Sequence, residues 1–390
     1  MSKLITNTVR HTAGSADNIT LDNSQNVTCE ANLQVDGNVT VTGTLPAAQL
    51  TGTLPAISGA SLTGITDTLS HRNLIINGGA TVNQRGDSTG ITGTHGFYGP
   101  DRWKTCITNY GTWSITQATD GPDGFSKSYK LDCTTADASP AASDVVYLEY
   151  EIEAQDLQCL SYGTSGAKDT VLSFWVKSNL TNSTWNFSLQ QRDNSGKQIQ
   201  AAYTTHGTTN TWKKITIAIP KDTAGVIDDN NAAGLLFTWY LGGGSNFTGT
   251  AISTSWASDG GDATRLNGAT NMLGASTSNY IQFTGLQFEI DNNENDLASD
   301  FEHRSYAEEL VRCQRYCYKI DSPDATTNTS VFGIAFVRAN NTFRWGHQWP
   351  QKMRTAPSLS VSAGSHFKVF DGSASEVTLN LASLRATQTT

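Results

Sequence analysis

Trp185-Asn-Phe-Ser-Leu-Gln-Gln-Arg192 alternates large apolar with polar side chains at almost every step. Successive side chains of a strand point to opposite faces, so Trp185, Phe187 and Leu189 share one face while Asn186, Ser188 and Gln190 share the other. The Asp193-Asn-Ser-Gly-Lys197 segment that follows has hairpin-turn chemistry. Downstream, Trp212-Lys-Lys-Ile-Thr-Ile-Ala-Ile-Pro220 repeats the pattern, with Ile215, Ile217 and Ile219 as the buried row. Similar runs recur at 72–78, 111–119, 128–134, 145–152, 170–178, 234–241 and 280–290, separated by turn residues. Eight or nine strands at this spacing predict a β-sandwich or jelly roll over residues 71–304.

The flanks differ from this centre. Residues 1–70 carry short apolar pairs (Ile19/Leu21, Val27/Cys29, Leu33/Val35, Val39/Val41) and the near-copies Gly43-Thr-Leu-Pro-Ala47 and Gly52-Thr-Leu-Pro-Ala56. Strands so brief are expected to be completed by identical neighbouring chains, which predicts a repetitive β shaft. Over 305–320, Ser305 and Glu308 form a capping box. Tyr306, Leu310, Cys313 and Cys317 follow at helical spacing, predicting one short connecting helix with those four on its buried face. Residues 321–390 return to strand-like runs, a small C-terminal β-domain. The predicted class is therefore all-β, with a single helix.

Three blocks carry a resemblance to bacteriophage tail-fibre proteins. Residues 42–65 (TGTLPAAQLTGTLPAISGASLTGI) look like the linker of many such fibres; the others are 72–86 (RNLIINGGATVNQRG) with 98–103 (YGPDRW), and 301–319 (FEHRSYAEELVRCQRYCYK). Over 73–292 the strand pattern also resembles the jelly-roll carbohydrate-binding modules, in which one concave sheet often carries aromatic and amide side chains. The resemblance implies a homotrimeric virion protein. Its N-terminus would join a tail or baseplate protein and its β-domains would bind a host cell-surface polysaccharide. A purely structural adaptor and a polysaccharide depolymerase are the alternatives.

Composition narrows the partners. A formal charge of −9 and a pI near 5.2, with no Lys/Arg cluster, argue against nucleic acid. No apolar run approaches a bilayer span, and Met1-Ser-Lys-Leu-Ile-Thr-Asn-Thr-Val-Arg10 has no signal-peptide core, so synthesis in a host cytoplasm is expected. The six cysteines lack zinc or disulfide spacing and are expected to be free buried thiols.

Candidate chemistry is sparse, and no enzyme is expected. No nucleophile elbow, phosphate loop or His-Glu-x-x-His motif is present, and Glu149, Glu151 and Glu153 alternate as a solvated strand face would. The irregular segment 242–279 offers Phe247, Trp256, Asp259, Asp262 and Arg265, a set able to supply a sugar platform and hydroxyl partners. Trp345, His347 and Trp349 fall on one strand face and form a second glycan-binding candidate. No cofactor is expected. Asp291, Asn293, Asn295, Ser299 and Glu302 follow a calcium-loop count, but Asp296 stands where such a loop needs Gly.

Overall fold

The computed structural model describes residues 71–193, 196–292, 295–320, 348–358 and 360, together with the backbone of short strands at 8–9, 19–21, 27–29, 335–339, 342–345, 368–370 and 376–378. The chain divides into two units, Met1–Ser61 and Leu62–Thr390. In the first, β1 (Thr8–Val9), β2 (Ile19–Leu21) and β3 (Val27–Cys29) form an antiparallel sheet in that order. Ile19 faces Cys29 and Leu21 faces Val27, so these pairs find partners within one chain. The remaining apolar pairs and the Thr-Leu-Pro-Ala repeat lie outside the described residues.

The second unit is built on two antiparallel sheets. One has six strands: β4 (Ser88–Ile91), β7 (Thr112–Ala118), β8 (Ser128–Thr135), β10 (Thr170–Ser178), β13 (Lys213–Ile219) and β16 (Tyr280–Ile290), in the order β13-β10-β16-β8-β7-β4. The other has seven: β5 (His95–Phe97), β6 (Lys104–Thr108), β9 (Val145–Glu153), β11 (Thr184–Gln191), β12 (Lys197–Thr204), β14 (Ala233–Gly243) and β15 (Ala257–Ser258), in the order β15-β12-β11-β14-β9-β6-β5. Alternation on β11 is as read from sequence, since Trp185, Phe187 and Leu189 all face the core. Six of these strands (β4, β5, β6, β12, β14 and β15) lie next to polar or glycine-rich segments. Of them only β14 was legible as an apolar run, and the predicted strand at 72–78 is irregular chain.

The space between the sheets is filled largely by rings. Trp239 lies 5.3 Å from Phe187 and 5.8 Å, edge-on, from Phe174, while Phe237 and Phe288 meet at 5.0 Å across the two layers. Edge-to-face contacts of this kind add to the burial of large apolar area, which dominates the stability of such a core.

Residues 72–86 strap one side of the sandwich. Asn77, at φ +60°, donates from Nδ2 to the carbonyls of Val82 and Asp101 at 2.9 Å each, and its own N–H donates to Glu309 Oε2 at 2.6 Å. Gly78 needs to lack a side chain, because a Cβ there would sit 2.0 Å from the Leu286 carbonyl oxygen. The strap brings together the blocks at 72–86, 98–103 and 301–319. Trp103 Nε1 donates to the Asn77 carbonyl at 3.4 Å, and Arg304 donates to the Asn73 carbonyl and to Glu309 Oε1.

Helix α1 (Tyr306–Gln314) docks here, with Ser305 Oγ accepting from the Glu308 N–H at 3.3 Å as the capping box requires. It is shorter than the predicted 305–320, and its buried face is also different. Glu309 and Cys313 are buried, Leu310 is half-buried and Tyr306 is 59% exposed. The carboxylate of Glu309 is admitted because the Asn77 amide and the Arg304 guanidinium both donate to it. Among the thiols, Cys106, Cys133 and Cys313 are buried as expected, whereas Cys159 is exposed.

The C-terminal stretch contributes two hairpins, β17 (Ala335–Ala339) with β18 (Thr342–Trp345), and β19 (Lys368–Phe370) with β20 (Glu376–Thr378).

Candidate functional site

The pairing register of the seven-stranded sheet lays out its outer face as a grid. Gln198, Gln190, Leu236 and Glu151 form one row across β12, β11, β14 and β9. Gln200, Ser188, Thr238, Glu149 and Lys104 form the next, and Ala202, Asn186, Tyr240, Tyr147 and Cys106 the third. Directly paired residues share a face. Polar side chains of β11 that point away from the core thus meet amides, hydroxyls and tyrosines from strands far apart in sequence.

The segment after β14 lies over one end of this grid. Phe247 and Leu266 pack with Val145 and Tyr240, anchoring it. Asn186 Nδ2 donates to the Asn267 carbonyl at 3.0 Å, and Gln200 Nε2 donates to Thr264 Oγ1 at 3.2 Å. Arg265 is carried over the Tyr240 ring, 5.7 Å from its centroid, and is held by Asp262 at 2.7 Å and Asp259 at 3.9 Å. Asp259 also accepts from Gln190 Nε2 at 3.2 Å. At the other end Glu153 is covered by the chain following α1, accepting from Arg315 Nη2 at 2.6 Å and from the Tyr316 hydroxyl.

Between these ends lies a groove of about 180 Å³, lined by Tyr147, Glu149, Gln190, Gln198, Thr238, Tyr240, Asp259 and Arg265 among others. It is smaller than the ~300 Å³ at the low end for small-molecule clefts, and its floor is polar. Burial pushes the Tyr147 and Tyr240 phenols above their usual range, so both remain hydroxyl donors at neutral pH. Burial, and next the Glu149 charge, push the Cys106 thiol up to about 12, which leaves it protonated and inert. Glu149 accepts from Lys104 Nζ at 2.5 Å. The Glu149/Glu151/Glu153 series does share one face, but it is not a solvated row: Glu149 is paired, Glu151 half-buried and Glu153 buried.

The structure brings Asp259 and Arg265 to this groove, sets Asp262 behind Arg265 as its partner, and sends their neighbours elsewhere. Phe247 is buried, 5% exposed, so its ring anchors the segment and offers no platform. Trp256 is half-buried, edge-on to Tyr162 at 5.9 Å, with its indole N–H donating to the Pro220 carbonyl at 2.6 Å. Of the Trp345/His347/Trp349 row, Trp345 is the last residue of β18, His347 lies outside the described residues, and Trp349 makes an edge contact with Tyr318 at 5.9 Å.

The calcium-count residues have other partners. Asp291 Oδ2 accepts from the Asp296 N–H at 2.9 Å, Asn295 Oδ1 from the Leu297 N–H at 3.0 Å, and Glu302 from the His71 and Asn73 N–H groups; Asn293 lies outside the described residues. Among the described residues no group of three or more His, Cys, Asp or Glu side chains is placed to hold a metal ion.

Groove residues that sequence reasoning did not single out are Tyr147, Arg192, Gln198, Leu236, Thr238 and Tyr240. The available signal was the polar side of β11 at Asn186, Ser188 and Gln190, but which residues of other strands join it depends on register.

No protein-family model and no curated protein matches this sequence. Similar solved structures include the enzymatically active domain of tailspike protein 4 from bacteriophage CBA120, at 13% identity and a TM-score of 0.29, covering 56% of this chain and 21% of that one. The module described as "CBM4 structure and function" aligns at 12% identity and a TM-score of 0.28, over 55% of this chain and 98% of its own. The CBM22-1 xylan-binding domain from Paenibacillus barcinonensis Xyn10C aligns at 9% identity and 0.27, over 56% and 94%. This chain spans about a fifth of the tailspike domain's length. At these TM-scores the likenesses carry no functional weight.

Proposed function

We propose that the protein is a glycan-binding subunit of a phage tail fibre, in which the outer face of the seven-stranded sheet takes a neutral polysaccharide of the host surface. The observation that carries this reading is the groove floor, where Gln190, Gln198, Tyr147 and Tyr240 converge beside Asp259 and Arg265. Amides and hydroxyls of that kind suit sugar hydroxyls, and the half-buried Tyr147 ring suits their C–H faces. Neutrality follows from the lining, in which Arg192 and Arg265 are balanced by Glu149 and Asp259. So small a groove binds weakly, and three copies per fibre supply avidity. On this reading residues 1–70 attach to a tail or baseplate protein and help form the trimer, and the subunit is made in the host cytoplasm and built into the virion.

Binding without cleavage is the preferred reading. Glycosidases set one carboxylic acid and one carboxylate about the scissile bond. Here Glu149 accepts from a lysine and Asp259 from Gln190, an arrangement that spends both on positioning. The test is a glycan array of bacterial surface polysaccharides probed with the wild type and with Tyr147→Ala, alongside an assay for reducing ends. Binding by the wild type, about ten-fold weaker in Tyr147→Ala and without release of reducing ends, is expected. Reducing ends would establish a depolymerase, and no binding at all would leave a structural adaptor.

A further inference from the structure

The grid does not stop at Lys104. Phe97 of β5 pairs with Lys104, extending the Ser188–Thr238–Glu149 row, and His95 pairs with Cys106, extending the Tyr240–Tyr147 row. Both rings are exposed, Phe97 at 42%, and β5 is the last strand of its sheet. Neither ring is loose. The Arg85 guanidinium lies 5.2 Å from the Phe97 centroid. The His95 ring reaches past the small Cys106 to Tyr147, 6.1 Å away at 71°, with Nε2 3.3 Å from Thr108 Oγ1. Between them a Cβ on Gly96 would lie 2.8 Å from the outer end of the Tyr98 ring, so a side chain here would displace that ring.

A shallow depression lined by Phe97, Arg102, Lys104, Glu149 and Glu151 adjoins the groove and shares Glu149 with it. The polar floor is therefore continuous with an aromatic edge. From Phe97 to Thr238 the row crosses three strand spacings, ~14 Å, which exceeds one pyranose ring.

We infer that β5 is a second sugar subsite, so that the ligand is an oligosaccharide lying across the strands instead of a single terminal sugar. The inference rests on the groove being a glycan site. One sugar sits among Tyr147, Gln190 and Tyr240. A later unit of the same chain packs a C–H face on Phe97 and turns its hydroxyls to Lys104 and Glu151.

Calorimetric titration of the full chain with neutral gluco-, manno- and galacto-configured sugars, from monosaccharide to hexasaccharide, tests this. Affinity is expected to rise with length until the chain reaches Phe97. Phe97→Ala should weaken binding of the tetrasaccharide and longer members by roughly three- to ten-fold while leaving the monosaccharide unchanged. Tyr147→Ala should weaken every member. Because Phe97 is exposed, a thermal melt equal to wild type is expected, and His95→Ala provides a second variant. Binding that is flat with length, or that both edge variants leave unchanged on the long members, overturns the subsite while leaving the groove intact. Failure of the wild type to bind any member overturns the groove, and the subsite with it.

Discussion

At the scale of single residues, the core depends on a few very large side chains. Trp239 is wholly buried and lies within 6.1 Å, between centroids, of Trp103, Phe174, Phe187 and Phe283, so it joins the two sheets. Its indole Nε1 is buried without a hydrogen-bond partner, so the ring serves by shape and area alone. Trp239→Ala should cost about 3–5 kcal/mol in denaturant unfolding, the usual range for emptying such a site. Trp239→Phe should cost clearly less, because it keeps a ring and removes a donor that has nothing to donate to. Equal losses in the two variants would show that the indole is held by a polar contact. That Trp239 is core was legible in its run, Gly234 to Leu241, whereas its missing partner was not, since a hydrogen bond depends on what the opposite sheet presents.

At the scale of elements, the seating of α1 is governed by charge. Glu153 and Glu302 both lie beneath or beside the chain around the helix. Burial raises the Glu153 carboxyl pKa, but the hydrogen bonds from Arg315 and Tyr316, with the Arg315 charge, outweigh burial and hold it below the usual glutamate value. For Glu302 burial is likewise outweighed by the Asn73 and His71 amides and by Arg304. A carboxylate depressed in the folded state contributes stability that is fully present above its unfolded value, 4.5, and is lost as pH falls through the folded one. Protection of the amides over 306–316, taken relative to their intrinsic exchange rates, should therefore fall below about pH 4.5 more than that of β10 and β14. A parallel loss of protection in all three would mean that the seat has no acid lability of its own. The helix also shows what a one-dimensional pattern misses. Its cap was readable from Ser305 and Glu308, but Glu309 is buried and Tyr306 exposed, because Asn77, from far away in the chain, joins the adjacent Arg304 to satisfy the carboxylate.

At the scale of the whole molecule, the two units differ in what can support them. The unit from Leu62 onward contains the two-sheet core within one chain. Removal of residues 1–70 should leave that sandwich folded, with a melting temperature within a few degrees of the full chain's. Light scattering should find the full chain as a trimer and the shortened chain as a monomer, as the fibre reading requires. A trimeric shortened chain would move the assembly contacts onto the β-domains, and a monomeric full chain would remove the avidity on which weak glycan binding depends.

The amino-acid sequence by itself determined what is local: which side of β11 is core, where α1 begins, and that strands dominate the described chain. Those features follow from periodicity and capping, which act over a few residues. Only the tertiary structure decided the site. Gln190, Tyr147, Tyr240 and Arg265 become neighbours through antiparallel register among β9, β11 and β14 and through one segment folding back over them. Phe247 and Trp256 belong to the same segment as Arg265, yet burial took their rings into packing and left the charged residues at the groove. Non-local pairing sets which side chains meet, and a strand's own alternation says only which way each one points.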